Sequence, residues 1–388
     1  MVKFSADSVF DGESFLKRTV LIMEDDGTIL DTVPIEAAGD DVRHYKGVLC
    51  PGFVNAHCHL ELSHLYQAVP MHTGLVPFLL RVISERSRFT PEAIQHAMEK
   101  ADRSMQQNGI VAVGDIANTT DSLPVKLQSD LHYQTFVETI GFAATGAEQR
   151  FEESRELKKS FQAQGLPASI VPHAPYSVSP QLFEQMDKNT EEDGIISIHN
   201  QESEAENELY SLGEGAFFTL YKTLGIDASF FRASGRSSLQ SWLPCFSPPR
   251  QMLLVHNTYS TAADVQFAEN TAHDIYWCLC PLANLYIESR LPDVGMLQRE
   301  ATKIVIGTDS LASNKQLSVL EELKALHQHF PGIAAASLLQ WATSNGAKAL
   351  NIAHQYGRFR KGMRPGILLI DAPSEDILTA DSRVVRLL

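Results

Sequence analysis

The sequence predicts a parallel (β/α)8 barrel, a TIM barrel, accompanied by a small β-sandwich built from both chain ends. Three observations predict it. Eight short apolar, β-branched runs are spread over about three hundred residues, helix-like amphipathic segments separate them, and polar side chains concentrate where the runs end. A doubly wound open sheet is the competing architecture.

Taken in order, Met1 to about Cys50 alternates apolar and polar residues, with turns at Asp25-Asp26-Gly27 and Ala38-Gly39-Asp40. Strands follow at Gly52–His57, Ile110–Ile116, His132–Thr139, Ser169–His173, Ile195–His199, Met252–His256, Ile275–Leu279 and Lys303–Thr308. Among the helical segments, Pro91 to Gln107 starts at Thr90-Pro91-Glu92, a cap followed by proline, and stops at Asn108-Gly109. The tail from Gly357 carries Pro365-Gly366 and the strand-like Ile367-Leu368-Leu369-Ile370. Residues 1–50 and 355–388 are therefore assigned to the small domain and 51–354 to the barrel.

The 388 residues are 44% hydrophobic and 20% charged, enough to bury a large core. The formal charge of −15, without a Lys/Arg-rich run, argues against nucleic acid and anionic membrane surfaces as partners. No long apolar stretch and no secretory leader in Met1–Asp7 make the cytoplasm the expected location. The five cysteines form no C-x-x-C pair and read as reduced thiols, with Cys278 and Cys280 packing in a strand.

His57-Cys58-His59 closes the first strand, and residues two apart on a strand face the same side. Among 14 histidines such a pair alone is ambiguous. But His173, His199 and His256 end the fourth, fifth and sixth strands, and Asp309 follows the eighth. In a barrel these ends converge on one mouth, where catalytic groups belong. Neutral imidazoles with one carboxylate suit zinc, with iron(II) or manganese as alternatives. In His199-Asn200-Gln201-Glu202 a carboxylate lies just past the fifth strand, placed to carry a proton. Glu204, Glu206 and Glu208 read as a solvated acidic helix start.

These stretches resemble the amidohydrolase superfamily, in its branch of cytosine, guanine and S-adenosylhomocysteine-type deaminases and chlorohydrolases. The matching pieces are Pro51 through His59, Pro172-His173-Ala174-Pro175-Tyr176-Ser177, His199 through Glu202, Val255-His256-Asn257, Gly307-Thr308-Asp309-Ser310 and Ser344 through Leu350. The resemblance implies one divalent metal held by His57, His59, His199 and Asp309. It also implies His256 beside the attacking water, Glu202 as proton shuttle and His173 against the purine or its leaving group. The fourth strand, Ser169-Ile170-Val171-Pro172-His173, lacks the lysine of two-metal members, which favours a one-metal deaminase.

Such a metal lowers the pKa of water from about 15.7 to roughly 7. Asp309 is then expected to accept the water's proton, Glu202 to protonate the ring nitrogen and His256 to orient the nucleophile.

His59-Leu60-Glu61-Leu62-Ser63-His64 and Phe136 through Gly141 are similar to aminodeoxyfutalosine deaminases of the menaquinone pathway. Glu61 and Glu138 are expected either to accept hydrogen bonds from substrate or to cap loops. Arg81, Arg86, Arg150 and Arg290 are the candidates for a substrate carboxylate. Two stretches depart from the family pattern: Cys280-Pro281-Leu282-Ala283-Asn284, and Pro365-Gly366-Ile367-Leu368 without an Ala-Asp.

The expected partner is a small-molecule substrate, with a homodimer left open. Guanine deamination, triazine dechlorination and a catalytically silent scaffold are the competing functions.

Overall fold

The computed structural model describes residues 1–189, 194–301, 303–371 and 378–388. Eight strands run parallel: β1 (Phe53–Cys58), β2 (Ile110–Ala117), β3 (His132–Thr139), β4 (Ala168–Pro172), β5 (Ile195–Asn200), β6 (Gln251–His256), β7 (Asp274–Leu279) and β8 (Ile304–Ile306). β1 to β4 and β5 to β8 each pair in chain order. Two seams join these half-sheets. At one, His199 N–H donates to His173 O (3.0 Å); at the other, Thr308 and Asp309 N–H donate to His57 O (3.0 and 3.2 Å), and Cys58 bridges Asp309. The result is a closed (β/α)8 barrel, and the doubly wound alternative falls.

Strands buried on both faces explain the continuous apolar runs. Leu253, Val255, Tyr276, Cys278 and Val305 pack in the interior cluster. The residues between them, Met252, Leu254, Ile275, Trp277, Ile304 and Ile306, pack outward with the helices. Cys278 and Cys280 are fully buried, and all five cysteines are free. The helix Pro91–Gln107 forms as expected, with the Thr90 hydroxyl accepting from Ala93 N–H (3.3 Å).

Both chain ends share one sheet of seven strands, in which Ile367–Asp371 pairs antiparallel with Arg43–Pro51. The sheet folds back on itself. Ile29 N–H donates to Met363 O (2.9 Å), and the hydrogen-bonded turn at Gly27 comes within van der Waals reach of Leu388. The two layers over Phe4, Val9, Leu21, Met23, Leu49 and Ile367 are therefore halves of one sheet. Positions 372–377 of the proposed small domain lie outside the described residues. Among the described residues, no helix is long and apolar enough to cross a membrane.

Candidate active site

Strand alternation turns His199 (β5), and His173 and Asp309 just past the ends of β4 and β8, inward. β1 needs a correction to that alternation. Its register against β2 shifts between Asn55 and Cys58, and the extra residue lets His57 follow Ala56 into the interior while Cys58 packs outward. Gly307 lies beneath His57, where a Cβ would stand 2.9 Å from His57 Cβ and from Cys280 Sγ. Only glycine fits that approach.

β6 corrects the alternation differently. Val255 points inward, so His256 would point out, but His256 adopts φ +75° and Asn257 φ +58°. Its ring centroid comes to 6.1 Å from that of His57. Gln201 (φ +45°) and Asp309 (φ +55°) share this left-handed region. Each such residue costs about 1–3 kcal/mol and marks a site that the surrounding fold must hold in place.

His59 Nε2 lies 3.1 Å from Nε2 of both His57 and His199. Asp309 Oδ1 lies 3.6 Å from His57 Nε2 and 3.4 Å from His59 Nε2. Donor atoms of His57, His199, His256 and Asp309 all fall within 4.8 Å of one another. His199 Nδ1–H donates to His173 O (2.7 Å), which leaves its Nε2 with a lone pair facing two other ring nitrogens. One proton cannot satisfy three converging nitrogens; one cation can. Bonds of about 2.0–2.1 Å meeting tetrahedrally require donor spacings of about 3.3 Å, which these contacts approach. The donor set fits a divalent metal ion.

Burial, reinforced by neighbouring imidazoles including His57 and His173, holds His199 well below the usual histidine range. Burial also lowers His256, to about 3. Burial works to raise Asp309, but the His57 hydrogen bond and the charges of His59 and His256 hold it well below the carboxylate range. Neutral imidazoles beside an ionised carboxylate are the ligand forms of these groups.

Asn284 reaches from just past β7 to His256, its amide nitrogen 3.2 Å from Nδ1 and 2.8 Å from Thr258 Oγ1. A donor at Nδ1 places the His256 proton on Nε2, the atom 3.6 Å from Glu202 Oε1. His199 and His256 thus carry opposite tautomers, the first with Nε2 as an acceptor and the second with Nε2 as a donor. Glu202 is 4% exposed, and burial, with Asp309, Glu206 and Glu288 nearby, pushes its carboxyl well above the usual range. His173 Nδ1 meets Ser177 Oγ at 2.6 Å, and Ser177 donates to Ala174 O, so His173 Nε2 is left as an acceptor.

His59, His173, His199, Glu202, His256 and Asp309 line one cleft, joined by Glu138 and Arg86 and walled by Leu75, Phe78, Val82, Ile83, Ile140 and Tyr176. Glu138 accepts from Asn118 Nδ2 (2.9 Å), while its buried Oε1 accepts no hydrogen bond and lies 3.8 Å from His199 Nδ1. Glu61 does not line the cleft: it accepts from Asn118 N–H (3.0 Å) and from Thr119 N–H (3.2 Å) and Oγ1 (3.1 Å). Its expected substrate contact gives way to loop capping. Glu206 is a further correction. It is fully buried rather than solvated, accepting from Gln201 N–H (3.0 Å) and Ser238 Oγ (2.6 Å). Of the four arginines, Arg81 pairs with Glu85, Arg150 with Glu153, and Arg290 lies over Tyr259, while Arg86 lines the cleft.

Sequence reasoning missed Asn284, Ser313 and Ser177. Ser313 donates to Asp309 Oδ2 from four residues downstream. Its spacing from Asp309 was the only signal available.

The sequence pattern of the amidohydrolase family matches residues 48–386. An aminodeoxyfutalosine deaminase of Nitratiruptor sp. is 30% identical over 340 residues, covering 84% of this chain and 80% of that protein. The Helicobacter pylori aminofutalosine deaminase in complex with methylthio-coformycin superposes with a TM-score of 0.80 at 21% identity, covering 99% of this chain and 97% of that one. An adenosine deaminase from Xanthomonas campestris with bound zinc gives a TM-score of 0.73 at 21% identity, covering 98% and 87%. This chain belongs to the amidohydrolase family, as a deaminase-type hydrolase of carbon–nitrogen bonds.

Proposed function

We propose that this protein deaminates a 6-aminopurine nucleoside by hydrolysis, with aminodeoxyfutalosine ahead of S-adenosylhomocysteine, methylthioadenosine and adenosine. The bond from C6 to the amine breaks, a C6–oxygen bond forms, and ammonia leaves. With aminodeoxyfutalosine as substrate, the reaction belongs to menaquinone biosynthesis. The observation that carries this reading is the meeting of three imidazole Nε2 atoms and Asp309 beside the buried Glu202. The Nitratiruptor relative supports the nucleoside.

His57, His59, His199 and Asp309 would hold the metal, zinc by donor chemistry, with iron(II) the alternative. When bound, it supplies the Lewis acidity that makes water nucleophilic near neutral pH. Glu202, kept protonated by burial, donates to the ring nitrogen beside the attacked carbon. His256 presents Nε2–H to the incoming water, and Asp309 accepts the water's proton. His173 Nε2 accepts from the purine edge or the departing amine, and Glu138 Oε1, which accepts no hydrogen bond within the protein, accepts from a ribose hydroxyl.

An ammonia-release screen over purine nucleosides, guanine, cytosine and triazines, with metal content measured on the same preparation, tests the reading. Turnover of a 6-aminopurine nucleoside at near-stoichiometric metal is expected. Turnover of guanine or a triazine instead reassigns the substrate, and an empty site without ammonia release leaves a scaffold.

A further inference from the structure

Apart from the catalytic cleft, and sharing no lining residue with it, lies an open cavity of about 520 Å³, within the range of small-molecule sites. It is bounded by the segments that follow His59 and Asp309 and by the Pro91–Gln107 helix. Ala93, His96, Ala97, Lys100 and Ser104 recur at three- and four-residue spacings, so a single face of that helix is turned to it. Lys315 lines it from the segment that follows Asp309, and Phe89, Leu311 and Leu317 supply apolar surface.

The charge of this cavity runs against that of the chain. The sequence holds 47 acidic against 32 basic residues, yet no lining residue is acidic, while Lys100 and Lys315 line it. Among the described residues, neither lysine ammonium has an ion pair or hydrogen bond. His64 is 8% exposed, its ring nitrogens face the backbone carbonyls of Glu61 and Arg86, and its ring meets Phe89 edge-on at 5.0 Å. Two unpaired cations and an aromatic wall together form a recognition set for an anion carried on a ring.

We propose that this cavity binds a small aromatic anion, with Lys100 and Lys315 holding the charged group and Phe89 and Leu317 the ring. The site is separate from the catalytic cleft and does not depend on the identity of the deamination substrate.

Calorimetric titration of the metal-loaded protein with phenyl phosphate tests it, with inorganic phosphate as the ringless control. Saturable binding that weakens with added salt is expected, tighter than inorganic phosphate by roughly tenfold or more. Lys100→Ala and Lys315→Ala are each expected to weaken it about tenfold without changing the melting temperature, and Ala97→Trp to abolish it by filling the space. Absence of binding, equal binding of inorganic phosphate, or unchanged affinity in Lys100→Ala, Lys315→Ala and Ala97→Trp would each overturn the proposal.

Discussion

The carbonyl oxygen of His173 receives two hydrogen bonds from His199, one from its backbone N–H at 3.0 Å and one from its ring Nδ1 at 2.7 Å. The first sews β4 to β5, and the second orients a proposed metal ligand. His57 does the same at the opposite seam, where its carbonyl accepts the N–H groups of Thr308 and Asp309. Closing the barrel and aiming the donors are therefore one operation.

Because the His173 contribution to His199 comes from the backbone, it survives loss of the His173 side chain. His173→Ala is expected to keep near-wild-type metal content while turnover falls at least about tenfold. His199→Ala removes a proposed ligand and is expected to lower bound metal by more than the roughly 10- to 100-fold that loss of a ligand's hydrogen-bond partner costs. Metal per chain by mass spectrometry decides; loss of metal in His173→Ala would show that its ring is itself a ligand.

Glu202 Oε1 lies 3.6 Å from Nε2 of His256, which is outside the proposed ligand set. Glu202→Gln keeps the shape and removes the transferable proton. Turnover is expected to fall by about 10²–10⁴ with metal content intact. Unchanged turnover would take Glu202 out of the mechanism.

Asn284 supplies the prediction that follows from opposite tautomers. Asn284→Asp substitutes an acceptor for the donor facing His256 Nδ1, which draws the proton onto Nδ1 and leaves Nε2 a lone pair. A fall in kcat of at least about tenfold is expected with KM little changed, and Asn284→Gln is expected to recover part of it. Equal activity in Asn284→Asp would show that the His256 proton is not set from Nδ1.

The barrel was legible because its strands are buried on both faces, so each reads as a bounded apolar run, and because the chemistry sits at their ends. His199 and Asp309 could be placed by counting along a strand. His256 could not, since alternation aims it outward and only φ +75° brings it in. Asn284 and Ser177 act through contacts that no spacing rule announces. Glu206 misled because a glutamate in a first helical turn is ordinarily solvated, whereas here Ser238, 32 residues on, covers it.

Glu206 carries a pH prediction. Burial raises its carboxyl from 4.5 to about 7, so between these values the folded chain holds a proton that the unfolded chain has released. Its contribution to stability therefore declines as pH climbs from about 4.5 to 7, by up to roughly 1.4 kcal/mol per pH unit. Oε1 already accepts two hydrogen bonds and Oε2 has no partner, so Glu206→Gln keeps both accepted bonds and removes the titration, at a pH-independent cost of about 1–3 kcal/mol for its buried amide. Chemical denaturation across pH 4.5–8 should show a flatter decline in that variant. An unchanged slope would mean that Glu206 is ionised throughout.

Arg86 separates the substrates that the proposal ranks. It lines the cleft beside Phe78, Val82 and Ile83, and its guanidinium lies 3.7 Å from Glu61, a carboxylate already engaged by Asn118 and Thr119. It is 40% exposed at the side chain, and beyond its ion pair with Glu61 it has donors to turn toward an incoming carboxylate. Arg86→Ala is expected to raise KM about 10- to 100-fold for a carboxylate-bearing nucleoside such as aminodeoxyfutalosine, the scale of a charged hydrogen bond worth about 1.5–3 kcal/mol. Adenosine, which has no carboxylate, should change by less than about twofold. Equal losses on both substrates would mean that Arg86 shapes the cleft through Glu61 and its loop rather than by reading charge.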